Sequence, residues 1–356
     1  MEYRQLGRSG LRVSSLALGT MSFGGTGRFE AVGTVDVGEA RRITDVCLDA
    51  GVNLIDTADL YSYGAADEMV GTVIKGRRDR VLISTKVAFA TGLGPNDGGL
   101  SRHHVIAACE ASLRRLQVDH IDIYHAHMWD GHTPLSETME ALDTLVRQGK
   151  VRYLGCSNHS AWHFMKALAV SDGLGLERYV SHQIYYSVVA REAEYELIPA
   201  ALDQGVGLLI WSPLAGGFLT GNYKRDGTRP AEGRGRTRWT DGLVRDPEQA
   251  FDIIDVLNNV ANDHGTSIAQ AALSYVLDAP GVTSVIVGAR SAEQVADSLR
   301  VANWQLEPAE RERLDAASAM DLLYPYSHQA AENADRLSPA DLSLLQRHLG
   351  QPLAQR

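Results

Sequence analysis

The sequence predicts an α/β protein in which eight parallel strands close into a (β/α)8 barrel, the TIM barrel. Eight short apolar runs are typical of buried strands, and each is followed by at least one segment with helical periodicity. Strict alternation of strand and helix favours a parallel sheet, and eight such units close naturally into a barrel. An open doubly wound sheet is the alternative, but no Gly-x-Gly-x-x-Gly follows the first strand at a helix start.

The chain is expected to divide into a barrel and a short tail. A single barrel domain should cover residues 1–320, and a C-terminal tail should cover residues 321–356. Residues 3–13 alternate between apolar and polar types around two glycines, which predicts a small N-terminal β-hairpin. An extra helix is predicted at about 307–317, and we expect the tail either to pack loosely or to make a local contact.

The framework elements follow from apolar runs and from the residues that stop them. Strands are expected at 14–18, 52–55, 81–85, 120–124, 151–155, 179–184, 206–210 and 282–287. Helices are expected at 38–50, 65–75, 101–116, 134–147, from 160, and at 194–204, 248–262, 266–278 and 291–301. Gly51 ends the first helix, Ser101 is the expected N-cap of the third, and Pro134 lies near the start of the fourth.

Two loops interrupt this regular alternation. Gly24, Gly25 and Gly27 follow the first strand, and a close approach of backbone to a ligand would explain glycines there. Residues 216–246 are rich in Gly, Arg and Thr and show no clear period. Loops of this length are usually lids or binding elements.

Composition excludes several classes of protein. The 356 residues are 44% hydrophobic and 22% charged, as in soluble globular proteins, and no apolar run reaches the roughly 18–20 residues that span a bilayer. The N-terminus lacks the apolar core of a signal peptide, so we expect a cytoplasmic protein with no membrane partner. A net charge of −10 argues against nucleic acid as a partner. Cys47, Cys109 and Cys156 have no zinc or redox spacing and are expected as buried thiols.

Polar side chains stand at the ends of three successive predicted strands. Asp56 closes one buried run, Tyr61 follows on the loop behind it, and Lys86 ends the next strand. The third strand runs into His125 and His127. Catalytic residues of barrel enzymes occupy the carboxyl ends of the strands, so these side chains predict one catalytic site.

The four residue types suit proton transfer to a carbonyl. A tyrosine hydroxyl titrates near pH 10, and a neighbouring ammonium such as that of Lys86 lowers this value. Asp56 would compensate the buried ammonium, and His127 would donate a hydrogen bond to a carbonyl oxygen. His125 competes for that role, but His127 lies further toward the loops. The alternative is that these four residues are ordinary polar residues at strand ends with no catalytic role. A metal site is not predicted, because the sequence has no cluster with metal-ligand spacing.

Six stretches together resemble the aldo-keto reductase superfamily, over roughly residues 3–320. They are NLIDTADLYSYG from Asn53, ISTKV from Ile83, IDIYHAH from Ile121, GCSN from Gly155, WSPLAGG from Trp211 and VIVGARSAEQ from Val285. The resemblance implies a (β/α)8 barrel and NAD(P)H-dependent carbonyl reduction without a metal. It also implies that Tyr61 is the general acid, that Lys86 and Asp56 tune it, and that His127 positions the carbonyl.

The resemblance further implies a cofactor site. Its residues would be Gly19, Thr20, Met21, Asp56, Ser157, Asn158, Gln183, Trp211, Ser212, Pro213, Leu214, Gly216, Gly288, Arg290, Gln294 and Ser298. Trp211 would stack on the nicotinamide, whose carboxamide would bind Ser157, Asn158 and Gln183. Arg290 favours NADPH, because a guanidinium can bind a 2′-phosphate through two hydrogen bonds. Asp297 and Ser298 depart from the Asn or Glu-Asn that the family often has there, which leaves the preference for NADP over NAD open.

The substrate is expected to be a small carbonyl compound, with a hydrophobic or aromatic aldehyde as the best fit. Its pocket should be lined by Phe23, Tyr61, Phe89, His127, Met128 and Trp129, together with Met21 and parts of loop 216–246. Two other functions stay open: an NAD-dependent sugar or cyclitol dehydrogenase, and a non-catalytic NADPH-binding redox sensor like the potassium-channel β-subunits. The oligomeric state, including a homo-oligomer, also stays open.

Overall fold

The structure, a computed structural model, describes residues 1–230 and 242–349 and confirms the barrel. The N-terminal hairpin consists of β1 (Tyr3–Gln5) and β2 (Arg12–Ser14), paired antiparallel. The barrel strands are β3 (Leu16–Gly19), β4 (Leu54–Asp56), β5 (Leu82–Val87), β6 (Ile121–Ala126), β7 (Val151–Ser157), β8 (Tyr179–Tyr185), β9 (Gly207–Trp211) and β10 (Val282–Gly288). All neighbours are parallel, and β10 pairs with both β9 and β3 to close the ring.

Helices follow the strands in the expected order. They are α1 (Val37–Asp49), α2 (Ala65–Val73), α3 (Arg102–Leu116), α4 (Leu135–Arg147), α5 (Ala161–Leu174), α6 (Leu197–Gln204), α7 (Pro247–His264), α8 (Ile268–Leu277), α9 (Ala292–Leu299), α10 (Pro308–Ala317), α11 (Tyr326–Glu332) and α12 (Pro339–Leu345). Ser101 caps α3 as expected, since its hydroxyl accepts the His104 N–H. Pro134 is the N-cap residue of α4 and therefore lies at the start of the helix, as expected.

The hairpin covers the end of the barrel at which the strands begin. The guanidinium of Arg4 donates to the carbonyls of Leu277 and Val282, both at 2.9 Å. At the hairpin turn Gly7 has φ +58°, and a Cβ there would lie 2.6 Å from the carbonyl oxygen of Gly205. The turn therefore requires glycine both for its conformation and for its close approach to the chain.

All eight barrel strands end later than the sequence predicted, and β5, β6 and β7 each end two residues later. The parallel ladder pairs Lys86 with His125 and Val87 with Ala126, so both polar residues belong to strands. Pairing of Ala126 with Cys156 extends β7 in the same way. Because ladder hydrogen bonds come from the backbone, a polar side chain does not end a strand at this edge of the barrel.

The tail makes a local contact instead of packing loosely. Helices α11 and α12 bury Ala330, Leu344 and Leu345 in a small cluster to which Tyr195, near α6, contributes. The rings of Tyr195 and Tyr326 lie 5.3 Å apart. Cys47, Cys109 and Cys156 are buried free thiols, as expected. No helix in the described parts of the chain is both long and apolar enough to span a bilayer.

Candidate active site

A cavity of about 890 Å³ opens at the carboxyl ends of the barrel strands. Most of the barrel strands contribute a residue at or near this end: Gly19, Asp56, Ser157, Gln183, Trp211 and Gly288. His127 follows β6 directly, and Tyr61 follows β4 on a short loop. This is the end of the barrel at which the fold generally holds its catalytic residues.

Lys86 and Asp56 form a buried ion pair beside Tyr61. Lys86 Nζ donates to Asp56 Oδ2 at 2.6 Å and to the carbonyl of Thr57 at 2.7 Å. It also lies 5.3 Å from the centre of the Tyr61 ring. Burial lowers the pKa of Lys86, but the charges of Asp56 and Tyr61 outweigh this effect and raise it above its ordinary value. The side chain is therefore an ammonium at neutral pH.

The Asp56 carboxylate accepts hydrogen bonds on both oxygens. Ser84 Oγ and Gln183 Nε2 each donate to Oδ1 at 2.8 Å, while Lys86 holds Oδ2. A buried carboxylate needs such donors in place of water. Gln183, which the resemblance assigns to the cofactor, is thus bonded directly to a residue that the resemblance assigns to catalysis.

His127 lines the cavity as a neutral imidazole. Its ring lies 6.1 Å from the Tyr61 ring and 4.9 Å from the Phe89 ring. Burial, followed by the charge of Lys86, holds its pKa well below the ordinary value. The Nδ1 atom is buried and has no hydrogen-bond partner among the described residues. A neutral imidazole has one N–H to donate, so this ring can bind an oxygen atom of a ligand.

His125 lies beneath this layer and does not reach the cavity. It is fully buried, with Nδ1 3.2 Å from Ser84 Oγ and Nε2 3.0 Å from Ser181 Oγ. Both ring nitrogens therefore have partners inside the barrel. This geometry favours His127 over His125 as the residue that meets a ligand.

A second layer of polar residues, which sequence reasoning missed, supports Lys86. Thr57 accepts from Lys86 through its carbonyl and donates from Oγ1 to Asp67 Oδ1 at 3.0 Å. Asp67, fully buried on α2, pairs with Arg115 on α3 at 3.0 Å and accepts from Ser112 at 2.9 Å. The signal available in the sequence was an aspartate on the otherwise apolar face of a predicted helix, next to Ala66 and Val70.

All residues that the resemblance assigns to the cofactor line the cavity. The Ser157 hydroxyl is buried there without a partner among the described residues. The Asn158 amide donates to the carbonyl of His127 at 3.0 Å and accepts from Trp211 Nε1 at 3.1 Å. Tyr185 covers one side of Trp211 at a ring separation of 5.0 Å.

The far end of the cavity suits a phosphate. Ser212, Ala215, Gly216 and Gly217 have positive φ values of 50°, 49°, 68° and 102°, a backbone geometry that forms anion-binding concavities. Residues at the starts of α8 and α9 also line the cavity, and helix N-termini attract anions.

At this end Arg290 supplies a guanidinium, and its backbone N–H donates to Gln294 Oε1 at 2.9 Å. Asp297 accepts from Ser267 and Gln270 at 2.7 and 2.8 Å, so protein donors already occupy its carboxylate. Ser298 also lines the cavity.

The predicted substrate residues divide into two groups. Tyr61, Phe89 and His127 line the cavity. Phe23, Met128 and Trp129 are not among the described residues that line the cavity, and their contact with a substrate stays a prediction.

Each of the three has a physical reason to lie elsewhere. Phe23 is fully buried in the hydrophobic core. Met128 points outward and is 40% exposed, and Trp129 stacks on His163 with 3.9 Å between ring centres.

Their places are taken by residues that the sequence did not single out. Arg28, Phe29, Val32 and Leu60 line this end of the cavity. The first three follow Gly24, Gly25 and Gly27, and that glycine-rich stretch was the available signal. From loop 216–246, Thr220, Asn222, Tyr223, Pro230 and Leu243 line the cavity. The rest of the expectation for this loop falls on residues 231–241, outside the described residues.

Comparison with known proteins gives a consistent set of relatives. Residues 15–319 match the Aldo/keto reductase family. The chain is 38% identical over 323 residues to the uncharacterized oxidoreductase YrpG of Bacillus subtilis (strain 168), which covers 86% of this chain and 93% of that protein. It is 36% identical over 307 residues to a probable voltage-gated potassium channel subunit beta of Arabidopsis thaliana. That match covers 84% of this chain and 90% of the plant protein. It is 35% identical over 353 residues to versiconal hemiacetal acetate reductase of Aspergillus parasiticus. That match covers 91% of this chain and 99% of the fungal protein.

Proposed function

The chain belongs to the aldo/keto reductase family, and on that premise we propose that it reduces aldehydes or ketones to alcohols with NADPH, with Tyr61 as the proton donor. The observation that carries the proposal is the buried Lys86 ammonium, 2.6 Å from Asp56 and 5.3 Å from the Tyr61 ring. A cation held there favours the phenolate, and so makes the phenol a better acid toward a carbonyl oxygen.

Each polar residue then has a separate task in the reaction. Tyr61 donates its proton to the carbonyl oxygen as negative charge develops there. Lys86 stabilises the resulting phenolate, and Asp56 holds the ammonium in place. Neutral His127 donates a hydrogen bond to the same oxygen and orients the carbonyl. Phe29 and Phe89, which flank this position, exclude water from it.

The residues at the other end of the cavity fit NADPH, which supplies the hydride when bound. The Ser157 hydroxyl, which has no hydrogen-bond partner among the described residues, suits a carboxamide, and Trp211 offers an indole ring for stacking. The backbone concavity from Ser212 to Gly217 suits a pyrophosphate. The Arg290 guanidinium suits a 2′-phosphate better than a free ribose hydroxyl, which an acidic residue would receive.

A second candidate is a cofactor-binding subunit without a metabolic substrate. The 36% identity to a probable potassium channel subunit beta is the observation that favours it. Such a subunit would bind NADPH but would turn over simple carbonyl compounds slowly or not at all. A sugar or cyclitol dehydrogenase would instead reduce NAD at alkaline pH.

Steady-state oxidation of NADPH by a panel of aromatic and aliphatic aldehydes tests the proposal. We expect turnover by the natural chain and a loss of about 100- to 10,000-fold in kcat for Tyr61→Phe, the range attributed to general acid catalysis. The dissociation constant of NADPH, measured by quenching of tryptophan fluorescence, should change little in that variant. Undiminished turnover in Tyr61→Phe would refute the role of Tyr61, and tight NADPH binding without turnover would favour the subunit.

A further inference from the structure

Arg28 is separated from Tyr61 by the ring of Phe29 and from His127 by the ring of Phe89. Its Cζ atom is 5.3 Å from the centre of the Phe29 ring and 5.9 Å from that of Phe89. The Phe29 ring lies 6.1 Å from the Tyr61 ring, and the Phe89 ring lies 4.9 Å from the His127 ring. The guanidinium therefore lies near the two phenylalanine rings that contact the rings of Tyr61 and His127.

The charged side chains that line the cavity lie in two groups, one at each end. Among the described lining residues, Arg28 and Arg290 are the two arginines. Arg290 lies at the phosphate end with Glu293 and Asp297, whereas the carboxylate nearest the substrate end, Asp56, is already paired with Lys86. The positive charge of Arg28 also contributes to the low pKa of His127, after burial, Lys86 and His125. Arg28 is thus electrostatically coupled to the reacting end of the cavity.

The chain as a whole repels anions, with a net charge of −10. An anionic substrate therefore needs a local cation to enter and to be held. Arg28 is exposed, so an incoming ligand can reach it. A guanidinium matches a carboxylate through two parallel hydrogen bonds, and the flanking rings reduce the competition from water once a ligand covers the opening.

We propose that this site selects carbonyl compounds that also carry a carboxylate several bonds from the carbonyl, and that Arg28 binds that carboxylate. The inference rests on the proposed reductase function and narrows its substrate class. A carbonyl carbon held between Tyr61 and His127 would place the far end of a ring-sized substrate near the guanidinium. Arg28 then sets specificity without taking part in the transfer of the proton.

Matched pairs of substrates measure this selectivity. The three positional isomers of carboxybenzaldehyde and their methyl esters differ in charge while presenting the same aldehyde. We expect kcat/KM for at least one isomer to exceed that for its ester by about 10-fold or more, since hydrogen bonds to charged groups are individually strong. The ratio should fall by about 10- to 100-fold in Arg28→Met, and Arg28→Lys should be intermediate because it keeps the charge but loses the paired hydrogen bonds.

Arg102→Met is the matched control. Arg102 is a partly exposed arginine at the start of α3, is paired with Glu140 and lies outside the cavity lining. Its replacement removes the same charge from the chain and should leave the acid-to-ester ratio unchanged. Added salt should reduce the ratio of the natural chain toward that of Arg28→Met, because screening weakens an exposed charge pair.

Binding of benzoate, measured by titration calorimetry, provides a readout that does not depend on turnover. The natural chain should bind benzoate about 10-fold or more tightly than Arg28→Met. Equal kcat/KM for all acids and esters, or an unchanged ratio in Arg28→Met, would overturn the role of Arg28 while leaving the reductase function intact. Absence of turnover with acids and esters alike would instead refute the reductase function, and benzoate binding would then decide whether Arg28 recognises carboxylates.

Discussion

The Lys86 ammonium donates to Asp56 Oδ2 at 2.6 Å in a place where the two side chains are only 0% and 4% exposed. Two charges held this far from water depend on each other, because each would be uncompensated without its partner. The pair is therefore expected to matter for the folding of the barrel as well as for any reaction in the cavity.

Lys86→Met should lower the free energy of unfolding by about 3 kcal/mol, near the lower end of the range for breaking a buried pair. The lower end applies because Ser84 and Gln183 still donate to Asp56. Urea denaturation measures the change. The double variant Asp56→Asn with Lys86→Met should recover part of the loss, since it leaves no unpaired charge. If the double variant lost more free energy of unfolding than the two single variants together, a stabilising interaction between these residues would be contradicted.

Arg290→Ala should weaken NADPH binding by about 10- to 100-fold and NADH binding much less, since a charge-assisted contact to the 2′-phosphate is lost. Fluorescence titration with each cofactor measures both constants. Arg290→Lys is the control, because it retains the charge without the planar pair of donors. If the binding of both cofactors were weakened equally, the proposed contact between Arg290 and the 2′-phosphate would be refuted.

Four of the five buried histidines among the described residues have a strongly lowered pKa, which predicts a loss of stability in mild acid. Burial lowers the pKa of His182 to about 3 and of His159 to about 4, and holds those of His125 and His127 well below the ordinary value. Below about pH 6.5 the unfolded chain binds protons that the folded chain excludes. Stability is therefore intact above that pH and falls as the pH is lowered, by up to about 1.4 kcal/mol per pH unit for each histidine.

His182→Phe tests this linkage without disturbing the cavity. Neither ring nitrogen of His182 has a partner among the described residues, and its ring packs 5.0 Å from that of Phe164. The variant should therefore fold. Its free energy of unfolding should fall less steeply between pH 6.5 and 5, because unfolding would take up about one proton fewer than in the natural chain. The same slope in both chains would show that His182 does not titrate in this way.

Gly155→Ala should destabilise the barrel from within β7. An added Cβ would lie 2.3 Å from His125 Cδ2 and 2.4 Å from Ser181 Oγ, so packing forces one of them to move. Overpacking of this kind costs about 1–3 kcal/mol. Gly173→Ala is the matched control, because no atom of the described residues lies within 4 Å of a Cβ on this α5 glycine. Alanine there should stabilise the helix by about 0.5–1 kcal/mol. Thermal unfolding distinguishes the two changes, and similar melting temperatures would contradict the clash.

The sequence predicted the framework well because its signals were local. Apolar runs located the strands, and polar residues at three strand ends predicted the site. Asp56 and His127 line the cavity there, and the buried Lys86 pairs with Asp56. The order of the barrel follows from connectivity alone. Strand ends were less well predicted, because the ladder from Lys86 to His125 continues through polar residues.

Side-chain direction could not be predicted from the same signals. Phe23 and Trp129 are aromatic residues on loops beside the site, yet one enters the core and the other stacks on His163. Arg28 follows a glycine-rich turn and gave no periodic signal, although it reaches the cavity. The support of Lys86 by Asp67 through Thr57 depends on contacts that join α2, the residue after β4, and β5, which no spacing in the chain reveals.

The hydrogen bond from Gln183 to Asp56 has a consequence for how such a barrel can diverge. One side chain is assigned to the nicotinamide and the other to the proton donor, yet they share a 2.8 Å contact. A change at either position is felt at the other, so their effects should be epistatic. Divergence at either of these two positions is therefore constrained by the residue at the other, although the resemblance gives the two side chains different tasks.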